Sequence, residues 1–171
     1  MSADEVTIRP IRRDEAAAWR ELRLEALVNH PTAFSADPDA FRALTLEEVA
    51  TRIPEAESAD VLFGAYLDGE LHGCAGFAVE KNAKERHHGF MWGVYLRPPL
   101  RGRGVAEALV AAVIDQARAH VEILNSAVNA ENLGPRALYL RMGFSVYGTS
   151  PRALRIDGRD YDEDLLVMVL R

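Results

Sequence analysis

The segment GVYLRPPLRGRGVAEAL, residues 93–109, constrains the fold more than any other part of the chain. Its first residues close a β-like run, GFMWGVYL, that stops at Pro98-Pro99, because proline has no N–H to donate to a sheet ladder. Its last residues open VAEALVAAVIDQARAH, a run of strong helix formers with Val105, Leu109, Ala112 and Val113 on one face. Strand, rigid bend, basic Gly-rich turn and long helix follow one another without a spacer. Such an arrangement makes an anion site. The first N–H groups of a helix lack partners and lie at the positive end of its dipole. Gly102 and Gly104 let a ligand approach the backbone closely, and Arg101 and Arg103 add charge. Taken alone, RGRG suits equally well a chain-reversing turn with two solvated arginines, so the surrounding sequence has to decide.

That sequence places the unit in a layered domain. Val6 to Pro10 reads as a short strand, and Asp14 is a candidate N-cap for AAAWRELRLEAL, in which Trp19, Leu22, Ala26 and Leu27 recur at helical spacing. Residues 29–44, NHPTAFSADPDAFRAL, hold two prolines and read as an irregular loop anchored by Phe34 and Phe41. Thr45 and Glu48 fit a capping box that starts a short second helix. VLFGAYL and LHGCAGFAVE read as antiparallel strands joined at Asp68-Gly69, which readily supplies the positive φ of a tight turn. After the polar connection KNAKERHH come the third strand and the long helix. ILNSAV then reads as a strand, AENLGPRALYLRM as a helix entered between Asn132 and Pro135 and closed at Gly143, and FSVYGT as a strand. Asp157-Gly158 marks a turn, and LLVMVL closes the chain as an apolar run suited to burial on both faces. The order β-α-α-β-β-β-α-β-α-β-β predicts a single domain over residues 1–171 of the α/β (α+β) class. A mainly antiparallel mixed sheet of six to seven strands is expected, with about four flanking helices.

Composition narrows the function. Lys and Arg number 20 against 26 Asp and Glu, a net charge of −6, so no global positive field exists to hold a nucleic acid or an anionic membrane. Neither is an expected partner. The single cysteine, Cys74, precludes an internal disulfide, and the five histidines show no HExxH spacing, so no metal site is expected and a reducing cytoplasm is the natural setting. MSADEVTIRP lacks the apolar core of a targeting segment, and the most apolar stretch, VAEALVAAVI, is too short to span a bilayer and carries Glu107.

Two familiar phosphate motifs do not fit the turn. A Walker loop needs Gly-Lys-Ser/Thr, and the dinucleotide fingerprint needs Gly or Ala where Glu107 stands, which weakens a nucleotide or nicotinamide enzyme. Arg101-x-x-Gly104-x-Ala106 instead resembles the RxxGxG/A pyrophosphate signature of the GCN5-related N-acetyltransferases (GNAT), which bind acetyl coenzyme A. Downstream, VNAENLGPRALYLRMGF is similar to that family's second motif, an Asn followed seven residues later by the Tyr of an LY…GF segment, here Asn132, Tyr139 and Gly143-Phe144. The inferred element order is similar to that fold over nearly the whole chain. Pro135 departs from the small residue common at its position, which alters the helix entry but keeps Asn132 and Tyr139.

The resemblance implies an acetyl-CoA-dependent N-acetyltransferase domain that passes the acetyl group directly to a primary amine of a small molecule within a ternary complex. It assigns the pantetheine arm and the acyl oxygen to the backbone around Val94, Tyr95 and Leu96, and a further pantetheine contact to Asn132. The pyrophosphate falls to amides of Arg101, Gly102, Arg103, Gly104, Val105 and Ala106. Tyr139 matches the position whose hydroxyl lies near the coenzyme sulfur, where a phenol of pKa about 10 stabilises or protonates a thiolate of pKa about 8.5 as general acid. The general base is less constrained. Strand alternation puts Leu71, Phe77 and Val79 on one face and His72, Cys74 and Glu80 on the other, which makes Glu80 the first candidate, followed by His87 and His88. Direct transfer leaves Cys74 without a task, so it reads as a buried packing residue. Trp92 and Tyr95, expected on opposite faces of their strand, read as packing residues or pocket wall. Acceptor walls are expected at Trp19, Phe34, Tyr147 and Tyr161, and the acidic run Tyr161-Asp162-Glu163-Asp164 offers attraction to a cationic amine. A protein N-terminal or lysine acetyltransferase and a non-catalytic acetyl-CoA sensor are the alternatives, and Tyr139 weighs against the sensor. A homodimer is compatible with the family.

Overall fold

Three consecutive apolar runs pair edge to edge as the sequence predicts. β2 (Val61–Leu67), β3 (Glu70–Val79) and β4 (His88–Leu96) form an antiparallel meander, with β1 (Val6–Pro10) antiparallel to β2 at the sheet edge. The computed structural model describes residues 4–171; residues 1–3, the head of the N-terminal stretch, lie outside the described part. Beyond β4 the sheet continues with β5 (Ile123–Asn129), parallel to β4, and with the hairpin β6 (Ser145–Ile156) and β7 (Arg159–Val169). The strand order is β1-β2-β3-β4-β5-β7-β6, seven strands in one mixed sheet. Both Asp-Gly turns are formed as expected. Asp68 and Gly69 take φ +49° and +86°, Asp157 and Gly158 +51° and +78°, the left-handed pair that matches the twist of a two-residue hairpin.

Among the described residues five helices flank the sheet, one more than the four expected: α1 (Ala16–Asn29), α2 (Pro38–Arg42), α3 (Leu46–Thr51), α4 (Val105–His120) and α5 (Leu133–Arg141). The additional one, α2, lies within the stretch expected to be irregular. Asp37 caps it by accepting from the Ala40 N–H at 3.1 Å, and Pro38 occupies the first helical position, where its missing N–H costs nothing. The capping box of α3 is present: Thr45 Oγ1 accepts from the Glu48 N–H at 3.2 Å, and Glu48 returns a carboxylate oxygen to the Thr45 N–H at 2.7 Å. Asp14 does not cap α1. A 3₁₀ turn, Arg13–Glu15, precedes that helix, and Glu15 rather than Asp14 accepts the Arg12 N–H at 2.8 Å.

The helices divide between the two faces. Trp19, Leu22, Leu27, Phe41 and Val49 of α1–α3 pack with Leu62, Tyr66, Cys74 and Tyr95 of the meander. Leu109, Val113, Leu138 and Tyr139 of α4 and α5 pack with Ala65, Phe77, Met91, Leu124 and Leu166 on the other side. Fully burying one such side chain contributes roughly 1.5–3 kcal/mol, so the sheet is held mainly by these two layers. In β7, Leu166 and Met168 are buried toward α4 and α5, while Leu165 and Val167 on the reverse are only half-buried. The expected two-sided burial is incomplete because α1–α3 cover the meander and not the β5-β7-β6 end.

Two bulges overturn the strand alternation expected from sequence. Opposite Ala65 and Tyr66 the pairing on β3 jumps from Gly73 to Leu71, leaving His72 as an extra residue. Leu71 therefore shares the α1 face with Cys74, not the α4 face with Phe77. On β4 the pairing jumps from Trp92, opposite Gly76, to Tyr95, opposite Cys74, so that two residues face one. Gly93 takes φ +65° there, and the Cys74 thiol donates to its carbonyl at 3.2 Å. Trp92 and Tyr95 consequently lie on the same face instead of opposite ones.

Candidate active site

The parallel contact between β4 and β5 is short. It covers His88–Phe90 against Ile123–Asn125, after which Ser126 Oγ donates to the Met91 carbonyl at 3.2 Å and the strands diverge. The upper part of β4, Val94–Leu96, thus keeps β3 on one side and presents its other edge to a cleft of about 660 Å³. Val94, Tyr95 and Leu96 form one wall. The turn into α4 forms the next, with Arg101, Gly102, Gly104, Val105 and Ala106, and Asn132 at the head of α5 with Leu138 and Tyr139 within it close the far side. His30, Ala33 and Phe34, from the segment between α1 and α2, complete the lining. A smaller recess of about 80 Å³ runs into the β4–β5 crotch past Trp92 and Gly93, and shares Val94, Asn132 and Tyr139 with the main cleft.

The α4 turn leaves its backbone donors open. Gly102 and Gly104 have φ +71° and +76°, and a Cβ on either would meet nothing within 4 Å, so both face open space and both need glycine for their conformation. The first intrahelical bond runs from the Ala108 N–H to the Gly104 carbonyl at 3.1 Å, which leaves the N–H groups of Val105, Ala106 and Glu107 for a ligand. Arg101 is held in the cleft by its Nε donating to the Leu96 carbonyl at 2.9 Å. Arg103 behaves differently: its guanidinium reaches Asp4 at 3.7 Å and stays out of the cleft lining, so only its backbone belongs to the turn.

Asn132 occupies the N-cap position of α5 without making the side-chain cap bond, which leaves its amide free in the cleft. The Tyr139 ring is 7% exposed and packs edge-on against Phe144 at 6.2 Å. Burial pushes its hydroxyl well above the ordinary phenol value, so it stays protonated throughout the neutral range.

Other expected residues lie elsewhere. Glu80 follows the end of β3, its N–H bonded to the His88 carbonyl, six residues beyond the partner of Tyr95 and so on the order of 20 Å along the strand from that end of the cleft. His87 and His88 sit at the same remote end, where His88 Nδ1 meets Asn125 Nδ2 at 3.0 Å. No expected base reaches the cleft. Burial pushes the Cys74 thiol up to about 11, which suits a packing residue and removes a thiolate nucleophile at neutral pH. Phe34 lines the cleft and Trp19 a neighbouring cavity, whereas Tyr147 is 61% exposed and neither it nor Tyr161 lines either. The acidic run is partly committed to structure, since Asp164 takes Arg136 Nε at 2.7 Å and the Thr149 hydroxyl at 3.2 Å. His30, Glu107 and Arg141 line the cleft without having been named as site residues from the sequence. Glu107 and Arg141 pair across 34 residues at 3.3 Å, a contact for which no local motif exists.

Known proteins share this architecture. The model of the acetyltransferase (GNAT) family matches residues 17–144. An aminoglycoside N(6')-acetyltransferase type 1 of Stenotrophomonas maltophilia is 32% identical over 149 residues, covering 84% of this chain and 89% of that protein. An L-methionine sulfoximine/L-methionine sulfone acetyltransferase of Pseudomonas aeruginosa is 33% identical over 70 residues, 40% of this chain and 41% of its own. Among solved structures, a GNAT-family acetyltransferase from Streptococcus pneumoniae superposes with a TM-score of 0.82 at 23% identity, covering 98% of this chain and all of that one, 100%. A Salmonella typhimurium protein solved with its cofactor acetyl-CoA gives 0.80 at 22% identity over 98% and 95% of the two chains.

Proposed function

This chain belongs to the GNAT family of acetyltransferases, and on that premise we propose that it passes the acetyl group of acetyl-CoA directly to the primary amine of a small molecule. The observation that carries the reading is the convergence in one cleft of free α4 amides beside two open glycines, an unpaired β4 edge and the Tyr139 hydroxyl. These groups fit acetyl-CoA: the amides and Arg101 suit its pyrophosphate, and the β4 edge and Asn132 suit the amide-bearing pantetheine arm.

When bound, acetyl-CoA supplies an activated thioester and a departing thiolate. The backbone around Val94 to Leu96 holds the acyl group and meets the charge that grows on its oxygen. The Tyr139 hydroxyl donates to the sulfur as negative charge reaches it, the role of general acid in this reading. In this reading the amine enters as its free base or loses its proton to water, because Glu80, His87 and His88 stand apart from the cleft while, within its lining, His30 packs against the Tyr95 ring and Glu107 is paired with Arg141. Rate then follows the acceptor's own ionisation and rises with pH up to the pKa of that amine.

A small acceptor is supported by the segment between α1 and α2. His30, Ala33 and Phe34 line the cleft from above, where a protein substrate would need an open groove. Thermal melts test the cofactor first. Acetyl-CoA and free coenzyme A should each raise the midpoint, by the equivalent of about 2.7 kcal/mol at a hundredfold excess over Kd. NAD and ATP should leave it unchanged. A rise with NAD or ATP and none with the coenzyme A compounds would overturn the assignment of the α4 turn, and those of Asn132 and Tyr139 with it.

A further inference from the structure

A second cavity of about 570 Å³ opens between α1, α3 and the loop from α3 to β2, and has Trp92 in common with the recess at the β4–β5 crotch. Its charge opposes that of the molecule. Arg13, Arg23, Arg52 and Lys81 line it against only two acids, Glu55 and Asp60, in a chain of net charge −6. Both acids are engaged: Glu55 Oε1 accepts from Arg13 Nη1 at 3.0 Å, and Asp60 Oδ1 from the Val79 N–H at 2.8 Å. Arg23, Arg52 and Lys81 have no carboxylate partner among the described residues.

Arg23 is the inner member of the three. Burial chiefly lowers its pKa, a pull that the neighbouring Cys74 sulfur opposes and the Arg52 cation adds to. Its guanidinium lies over the rings of Trp92, Phe34 and Phe41, with centroids at 5.4, 5.9 and 6.0 Å. Those faces attract the charge but leave the in-plane N–H fork open to the cavity, without a protein acceptor among the described residues. Nη1 also sits 3.1 Å from where a Cβ on Gly93 would stand, so the guanidinium rests on the β4 bulge, one residue before Val94 of the main cleft. A largely buried cation facing a second cation is unfavourable until an anion arrives.

We propose that this cavity is an anion subsite of the acceptor pocket, in which Arg23, Arg52 and Lys81 take a carboxylate borne by the same molecule as the amine to be acetylated. The inference rests on the acetyl-transfer reading and names its acceptor class: small amino acids, with the amine directed past Trp92 toward Tyr139. A planar guanidinium fork accepts a carboxylate through two parallel hydrogen bonds. A polycationic acceptor such as an aminoglycoside is disfavoured by the same three charges.

Acetylation of a panel of α-amino acids is compared with that of their decarboxylated amines, leucine against 3-methylbutylamine being one pair, with an aminoglycoside as a further arm. At least one amino acid should show a KM tenfold or more below that of its matched amine. Arg52→Gln and Lys81→Gln, both at exposed side chains, should raise KM for that amino acid several-fold and leave KM for the amine unchanged. Arg23→Gln should raise it more than tenfold, with partial recovery in Arg23→Lys. Midpoint shifts with N-acetylleucine against N-(3-methylbutyl)acetamide read the same preference without turnover. Equal KM values across every pair, equal losses for both members in the variants, or preference for the aminoglycoside would overturn the subsite. A missing midpoint shift with coenzyme A would instead overturn the acetyl-transfer reading, and the N-acetylleucine arm would still report on the cavity.

Discussion

A phenol whose pKa is raised by burial is a poor proton donor at equilibrium, yet it is the best placed donor Tyr139 could be. The hydroxyl keeps its proton throughout the neutral range, so in the proposed reaction it is available to hydrogen-bond the thiolate as negative charge builds on the sulfur. Tyr139→Phe removes one hydroxyl and preserves the edge-on contact with Phe144. Turnover at saturating substrates should fall roughly 10²-fold, the lower end of what a positioned acid contributes, while coenzyme affinity stays within about twofold. Single-turnover rates with parallel binding titrations check this, and an unchanged rate would remove Tyr139 from the reaction. Glu80→Gln serves as the contrast. Its side chain lies at the other end of β3, so the same assay should show no loss.

At the scale of elements, what was legible in the sequence is what adjacent residues decide. The Asp-Gly turns, the Thr45 capping box, the start of α4 after Gly104 and the placing of Asn132 at the head of α5 each depend on a few consecutive side chains, and all are present. The cap of α2 at Asp37-Pro38 was equally local, but its five residues are too few for a periodic apolar pattern. The bulges at His72 and Gly93 were not legible, because a bulge is a property of two strands and appears in neither alone. That is why the faces assigned to Leu71, Trp92 and Tyr95 failed. The cationic cavity was hidden for the same reason: Arg23, Arg52 and Lys81 come from α1, the end of α3 and the connection after β3. The head of α4 carries a prediction of its own. Gly104→Val forces a β-branched residue to φ +76° and fills the space before the helix amides, whereas Gly158→Val imposes φ +78° at a hairpin tip with nothing nearby. Both should lose about 1–3 kcal/mol of stability in chemical denaturation. Only Gly104→Val should also weaken coenzyme binding, by tenfold or more in titration calorimetry.

On the scale of the whole molecule, one carboxylate ties the N-terminal strand to the layers behind it. Arg9 donates to both oxygens of Glu15 at 2.7 and 3.0 Å, and the Tyr66 hydroxyl donates to the same group at 3.1 Å, so β1, the entry to α1 and β2 meet at one charge. The Arg9 hydrogen bonds chiefly hold Glu15 at a pKa of about 2, below its ordinary 4.5. A depressed carboxylate pKa stabilises the fold fully above the unfolded value and is lost as pH falls through the folded one. The melting midpoint of the protein should therefore drop between about pH 4.5 and pH 2 by more than that of Glu15→Gln, which at pH 7 should already be less stable by about 1–2 kcal/mol. Parallel midpoints for the two proteins across that range would show that the contact contributes nothing to acid resistance. The distribution of indole rings has an optical consequence. The chain has two tryptophans, Trp19 and Trp92, stacked edge to face with centroids 6.3 Å apart, and both line the cationic cavity. All indole emission from this protein thus originates at one spot on the wall of that cavity, so an unlabelled sample in a fluorimeter reports when the cavity is filled.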